Sequence, residues 1–224
     1  MTFTHRLVAL GTATLGEAAQ DARIPKAQLR PVRPGMRLAG PARTVRCLHG
    51  DNLALHLAID RARTGDVLVV DYGENIDSGP FGELMALACQ MRGIAGLVID
   101  GAVRDSDQIA AMGFPVFSRG LNIRGTTKLN QGELDINLKI GGVMIYPGDM
   151  IVADSDGVVV LPASSVKEGL LAGEMRVVNE KRMMRRLRSG EPALQVFGLG
   201  MGDTSWQKLQ AWVQAEWVQP LPED

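Results

Sequence analysis

Cysteine is scarce in this chain. Cys47 and Cys89 are the only two in 224 residues, and they form no Cys-x-x-Cys pair. Two such residues do not make a disulfide framework. Each has apolar neighbours in a segment expected to pack, so buried free thiols are expected, in a reducing, cytoplasmic location. His5, His49 and His56 show no His-x-x-x-His spacing, which argues against zinc. His56 lies on an apolar helix face and is read as a packed core residue. Charge of one sign is also missing. The formal net charge is −1, so no global field favours nucleic acid. The basic run from Lys181 to Arg188 has no aromatic platform beside it and reads as a solvated helix face. Long apolar runs are absent too. No stretch reaches the roughly 20 residues of a membrane span, and Met1–Arg6 carries none of the apolar length of a signal peptide.

What is present is a soluble globular composition, 46 % hydrophobic and 22 % charged, with 26 glycines that imply many tight turns. The length suits a single domain with a tail. Thr14 to Asp21 reads as a short helix with Thr14 as its cap and Glu17 three residues on. Pro25, Pro31 and Pro34 mark residues 24 to 36 as an extended connector. Ala42 to Leu48 reads as a strand. Asp51 to Ala62 reads as a helix capped by Asp51 and Asn52. Ser106 to Met112 is a short helix, and Phe114 to Phe117 returns as a strand. Leu134 to Ile140 alternates like one half-buried strand and leads to a Gly141-Gly142 hairpin signal. Ser165 to Arg188 is a long charged helix, Pro192 a break, and Ser205 to Gln214 a last amphipathic helix with Trp206 and Trp212. Thr64-Gly65-Asp66 to Asp71 echoes Pro147-Gly148-Asp149 to Asp154: each is a Gly-Asp turn, then an apolar strand ending in aspartate. The mixture of β-β and β-α-β steps predicts a layered α/β domain on a mixed sheet.

The chemistry concentrates between Phe81 and Asp105. Glu83 opens a helix-like segment, Leu84 to Arg92. Gly93 turns, and Ala95 to Ile99 reads as a buried strand leading to Arg104-Asp105. Twenty residues separate Glu83 from Arg104. A helix-strand unit of this size returns to the same sheet edge, where α/β proteins bind ligands. The corner then offers carboxylates for a hard cation, an arginine for an oxyanion, and free amides at a helix start. Asp105 is the candidate metal ligand, because one carboxylate with several waters suits Mg²⁺, or Mn²⁺ in its place.

The pattern Glu83-x20-Arg104-Asp105 resembles the signature of the class II pyruvate aldolases. These cleave 4-hydroxy-4-methyl-2-oxoglutarate and 4-carboxy-4-hydroxy-2-oxoadipate, and the family also holds relatives of the regulator of ribonuclease activity A. Three further motifs carry the resemblance: Gly11 to Ala18, Gly113 to Phe117, and Pro147 to Asp154 with Asp156 to Val159. The resemblance implies a swivelling β/β/α fold over residues 1–190, an extension over 191–224, and a homotrimer or homohexamer. It implies Asp105 as direct metal ligand and Glu83, in place of the usual aspartate, as holder of metal-bound water. Arg104 would grip the pyruvyl end, with guanidinium and metal together stabilising an enolate. The amides of Gly82, Glu83, Leu84 and Met85 would complete the carboxylate cradle. Arg124 would meet the distal carboxylate, and Lys128 stands where the family has a lysine near the site. A glutamate of the long helix, Glu180 rather than Glu174, would reach a neighbouring subunit's site.

Two functions from different classes follow. One is a metal-dependent lyase acting on a small oxo acid, with oxaloacetate decarboxylation as a second outcome of the same enolate. The other is a non-catalytic regulator that inhibits a ribonuclease or another protein by contact. The water-holding acid at Glu83 favours the lyase. A methyltransferase activity, sometimes attached to this family, lacks a Gly-rich S-adenosylmethionine loop after the first strand.

Overall fold

A computed structural model of the chain describes residues 2–199. The described residues fall into two compact units that divide between Val177 and Val178. Helix α1 spans Phe3–Ala18 and is followed by β1 (Arg30–Pro31) and β2 (Leu38–Arg46). Next come α2 (Leu53–Arg61), β3 (Val67–Asp71), α3 (Glu83–Met91) and β4 (Gly96–Ile99). The chain continues through β5 (Ala102–Val103), α4 (Ser106–Met112), β6 (Val116–Ser118) and β7 (Gly120–Leu121). Then come β8 (Glu133–Leu134), β9 (Leu138–Ile140), β10 (Val143–Ile145), β11 (Met150–Asp154) and β12 (Gly157–Leu161). Helix α5 (Val166–Arg188) and the short α6 (Ala193–Val196) complete the described chain.

The main sheet runs β1-β6-β4-β3-β2-β11-β12. Strand β2 joins its two parts. Ala42–Arg46 pairs in parallel with β3, while Leu38–Pro41 pairs antiparallel with β11. Proline has no ladder donor, and Pro41 falls where pairing passes from one neighbour to the other. Strand alternation then builds the layers. Leu68, Val70, Leu97 and Ile99 face the cluster under α2 and α3. Val67, Val69 and Val98 face the opposite way, against Ile151, Ala153, Val158 and Val160. Val152, Val159 and Leu161 turn to Leu7, Leu15 and Leu170 of α1 and α5. This is the expected layered α/β arrangement on a mixed sheet. Among the described residues, no helix is long and apolar enough to cross a membrane.

The two Gly-Asp units flank β2 on its two edges, as β3 and β11. Their turns repeat atom for atom. Asp66 accepts from Arg63 N at 2.9 Å and Asp149 from Tyr146 N at 2.8 Å. Each aspartate also pairs with an arginine, Arg43 and Arg23 respectively. Close packing at this seam is tested at Gly40, where a Cβ would stand 2.2 Å from Gly65 O and 3.0 Å from Val67 Cγ2. Both neighbours belong to the sheet and its turn. Gly40→Ala is therefore expected to cost about 1–3 kcal/mol and lower Tm by about 2–12 °C; an unchanged melting curve would contradict this packing.

Three local expectations are corrected. The first helix starts at Phe3, capped by Thr2, and breaks at Gly11 with φ 78°. Thr14 caps nothing: the second segment is held at Thr12, whose N–H and Oγ1 donate to the distant Asp154 carboxylate. Leu134–Ile140 is not one strand. Asp135 takes φ 56° and pairs with Arg43, so the chain leaves the edge of β2 and enters the β9–β10 hairpin. β2 itself begins at Leu38, four residues before its expected start, because β11 supplies a partner there. The hairpin turns at Gly141 and Gly142, both with positive φ. In the second unit, α5 ends at Arg188, Gly190 turns the chain with φ 87°, and the Arg186 guanidinium binds Glu191. The expected helix from Ser205 to Gln214 lies outside the described residues.

Candidate active site

The helix-strand unit closes as its spacing predicts. Glu83 is the first residue of α3, and Arg104-Asp105 lies just after β5, at the carboxyl ends of parallel strands β3 and β4. Glu83 N donates to Asp105 Oδ2 at 3.0 Å. Arg104 Nε stands 3.7 Å from the same oxygen, a loose pair whose side chains are 42 % and 39 % exposed. Arg104 N donates to Phe81 O at 2.9 Å, which fixes the two loops side by side. Gly82 is required there: a Cβ would fall 2.3 Å from Asp105 Oδ2 and 3.0 Å from Arg104 Nε. Asp105 itself has a left-handed backbone, φ 56°, which aspartate tolerates better than most residues.

The cradle amides divide. Glu83 N is taken by Asp105, and Met85 N by Gly82 O at 3.1 Å. The N–H groups of Gly82 and Leu84 have no acceptor among the described residues, so they remain for a ligand. Met85 contributes a buried side chain instead. Of the four expected cradle amides, those of Glu83 and Met85 are therefore engaged within the protein, the first by the Asp105 carboxylate and the second by the first turn of α3 closing on Gly82.

A strap over residues 122–129 forms the facing wall. Asn122 N donates to Val103 O, and Gly79 N donates to Arg124 O, each at 2.9 Å. Arg124 is exposed on this strap, and a Cβ on Gly125 would lie 3.6 Å from Arg104 Nη1. Lys128 follows three residues later, within about 10 Å along the chain. Asp51 anchors that stretch: Oδ2 accepts from Thr127 Oγ1 and Leu129 N, each at 2.6 Å. Burial raises the Asp51 carboxyl, but hydrogen bonds from Leu129, Thr127, Leu53 and Asn130 outweigh it and bring it from 3.8 to about 2. A depressed folded value gives stability that is present above the unfolded value and fades as pH falls from about 4 toward about 2. Asp51→Asn should cost about 1–3 kcal/mol at neutral pH and flatten the stability profile across that window. Acid-unfolding profiles that run parallel in the two proteins would contradict it.

Glu174 is held in its own chain by Arg6, through contacts of 2.8 and 2.7 Å. Glu180 lies on α5 in the second unit. His56 is exposed rather than packed in the core, because the buried stripe of α2 runs through Ala54, Leu55, Ala58 and Ile59. Its imidazole is nevertheless held below its ordinary value, by partial burial and then by the charge of Lys128. Cys47 and Cys89 are buried, and burial pushes both thiols up to about 12.

The donor set fits a hard cation. Asp105 has one carboxylate oxygen engaged by Glu83 N, and the other has no partner among the described residues. Glu83, whose backbone N–H makes that contact, is exposed, and its carboxylate has no partner among the described residues. No cluster of three His, Cys, Asp or Glu residues occurs among the described residues. One or two carboxylates completed by water are the habit of Mg²⁺. Sequence reasoning took Asp51 and Asn52 only as helix caps and passed over Tyr72. Tyr72 Oη accepts from Gly50 N at 2.8 Å and shares a 2.9 Å hydrogen bond with Ser78 Oγ, at the root of the cradle loop. The only signal for this was their closeness in sequence to the ends of β2 and β3.

Residues 12–160 match the model of the RraA-like family, described as Aldolase/RraA. The chain is 34 % identical over 169 residues to a Halalkalibacterium halodurans protein named "Putative 4-hydroxy-4-methyl-2-oxoglutarate aldolase", covering 75 % of this chain and 80 % of that one. Among solved structures it is similar to an uncharacterized protein from Pseudomonas syringae pv. tomato, with TM-score 0.76, 29 % identity, and coverage of 86 % and 95 % of the two chains. It is also similar to the RNA-processing inhibitor RraA from Thermus thermophilis, with TM-score 0.63, 29 % identity, and coverage of 67 % and 92 %.

Proposed function

The chain belongs to the RraA-like family, and we propose that it is a lyase dependent on a divalent cation, Mg²⁺ or Mn²⁺. It cleaves a 4-hydroxy-2-oxo acid, of the 4-hydroxy-4-methyl-2-oxoglutarate or 4-carboxy-4-hydroxy-2-oxoadipate type, to pyruvate and a second oxo compound. The observation that carries this reading is the corner where Glu83, Arg104 and Asp105 meet around Gly82. Residues 1–190 are read as the catalytic domain and 191–224 as an extension, acting in the cytoplasm without nucleic acid or membrane partners.

Arg104 presents a planar fork to the C1 carboxylate and the C2 oxygen. The N–H groups of Gly82 and Leu84 take the rest of the carboxylate. Asp105 would hold the cation, which supplies positive charge where the C2 oxygen gains electron density. When the C3–C4 bond breaks, its electron pair passes to C3 and onto that oxygen as an enolate. The C4 hydroxyl gives up its proton to the water that Glu83 holds and becomes the carbonyl of the second product, and the same water can return a proton to C3. Protonation at C3 completes pyruvate. Glu83 holds water at the mouth of the corner, and Arg124 and Lys128 offer cations to the distal carboxylate. Lys128 on its exposed strap has none of the burial that makes a Schiff-base lysine. Oxaloacetate would lose carbon dioxide through the same enolate.

Leu84, Ile123 and Leu129 stand 80, 93 and 84 % exposed around this corner. Apolar groups so placed suit cover by a second subunit, in a homotrimer or homohexamer whose Glu180 reaches a neighbour's site. Sedimentation is expected to give three or six chains; a fully active monomer would contradict this. The second reading, a regulator of a ribonuclease, is supported by the likeness to the Thermus thermophilis protein. The deciding assay is pyruvate release from 4-hydroxy-2-oxo acids and oxaloacetate with Mg²⁺ or Mn²⁺. Release from at least one is expected. Release from none would leave the regulator.

A further inference from the structure

We propose that Asn52 is a positioning residue of this site, fixing the Pro80–Gly82 cradle against the strap that carries Lys128. The inference rests on reading the Gly82 and Leu84 amides as the seat of the substrate carboxylate. Asn52 is 6 % exposed at the entrance to α2. Its Nδ2 donates to Pro80 O at 2.7 Å and lies 3.6 Å from Met85 Sδ. Its backbone N–H donates to Thr127 O at 3.0 Å. With Asp51 holding Thr127 and Leu129, two consecutive residues grip both walls of the site.

The amide has one sensible orientation. Turned over, Oδ1 would face Pro80 O and Met85 Sδ, two acceptors. In the correct orientation Oδ1 is buried with no partner. A residue serving only as a helix cap would use that oxygen to accept a first-turn amide. Asn52 does not; Asp51 Oδ1 performs that task, accepting from Leu53 N at 2.9 Å. A leucine of similar outline would bury no orphan acceptor. The amide's gain is its hold on Pro80, whose carbonyl is the only backbone hydrogen-bonding group that residue has. Two residues later, Gly82 O accepts from Met85 N and Ala86 N and starts α3. Movement at Pro80 therefore passes directly to the amides of Gly82 and Leu84. Asp105 stands on the other loop; its Oδ2 meets the cradle through Glu83 N, while its second carboxylate oxygen, free among the described residues, has no tie to this contact.

The test uses the full chain with Mn²⁺ and with oxalate, a planar dianion shaped like the enolate of pyruvate. Asn52→Leu removes the donor and keeps the bulk; Asn52→Asp removes it and keeps the outline. Calorimetry at saturating Mn²⁺ is expected to show oxalate weakened by about tenfold or more in either variant, the loss typical of an outer-shell partner. Mn²⁺ affinity, read by paramagnetic resonance, should stay within about threefold, a difference of well under one pK unit of binding. The inference is overturned by oxalate affinity near the wild-type value in a folded variant, or by equal weakening of Mn²⁺ and oxalate. It is also overturned if neither variant folds, or if the wild type does not bind oxalate. A wild type that binds both probes, with the expected split in the variants, yet releases pyruvate from no oxo acid, upholds the positioning role and removes the aldolase reading instead.

Discussion

Asp105→Ala should lose metal-dependent pyruvate release by more than the ~10²–10³ in kcat that follows removal of one oxyanion partner. The substitution takes away the carboxylate proposed to hold the cation, so Mn²⁺ affinity should fall with turnover. It also removes the acceptor for Glu83 N and leaves alanine at φ 56°, strain of about 1–3 kcal/mol. Some loss of stability therefore accompanies the loss of chemistry. Asp105→Asn separates the two. Its amide oxygen can still accept from Glu83 N, and asparagine tolerates the left-handed backbone. It loses only the negative charge. Its melting temperature should stay near that of the wild type while its turnover collapses. Near-normal turnover in either variant would end the case for Asp105 as the metal ligand.

Arg104→Lys is expected to cost at least ~10²–10³ in kcat. The charge survives, but the planar fork that spans carboxylate and carbonyl oxygen does not. The fold has little at stake. Arg104 is held through its backbone N–H to Phe81 O, and its ion pair with Asp105 is loose and part exposed. A surface pair of that kind is worth at most about 1 kcal/mol. A purely structural pair predicts the reverse pattern, a small change in stability with chemistry intact. Pyruvate release and Tm measured on the same variant distinguish them.

The geometry of this candidate corner was legible in the sequence because local signals built it. Glu83, the turn at Gly93, the apolar strand and Arg104-Asp105 follow a helix-strand rhythm that brings both ends to one edge. The Gly-Asp echo was legible for the same reason: each turn satisfies its own backbone. What stayed hidden depends on partners far away in sequence. Thr12 is capped by Asp154, so the helix break at Gly11 has no local mark beyond the glycine. Asp135 leaves its alternating run because Arg43 and Thr44 of β2 hold it. Met85 N looked available at a helix start, yet Gly82 O claims it. Asn52 looked like a cap, and its side chain serves Pro80 instead. In each case a tertiary contact chose among conformations that the local sequence permits.

The most direct test is to follow pyruvate release by the wild type from its best 4-hydroxy-2-oxo acid through removal and return of the metal. A chelator should abolish release, and Mg²⁺ or Mn²⁺ in excess should restore it, with borohydride trapping no substrate on Lys128. Full turnover in chelator, with borohydride fixing substrate to Lys128, would contradict the account.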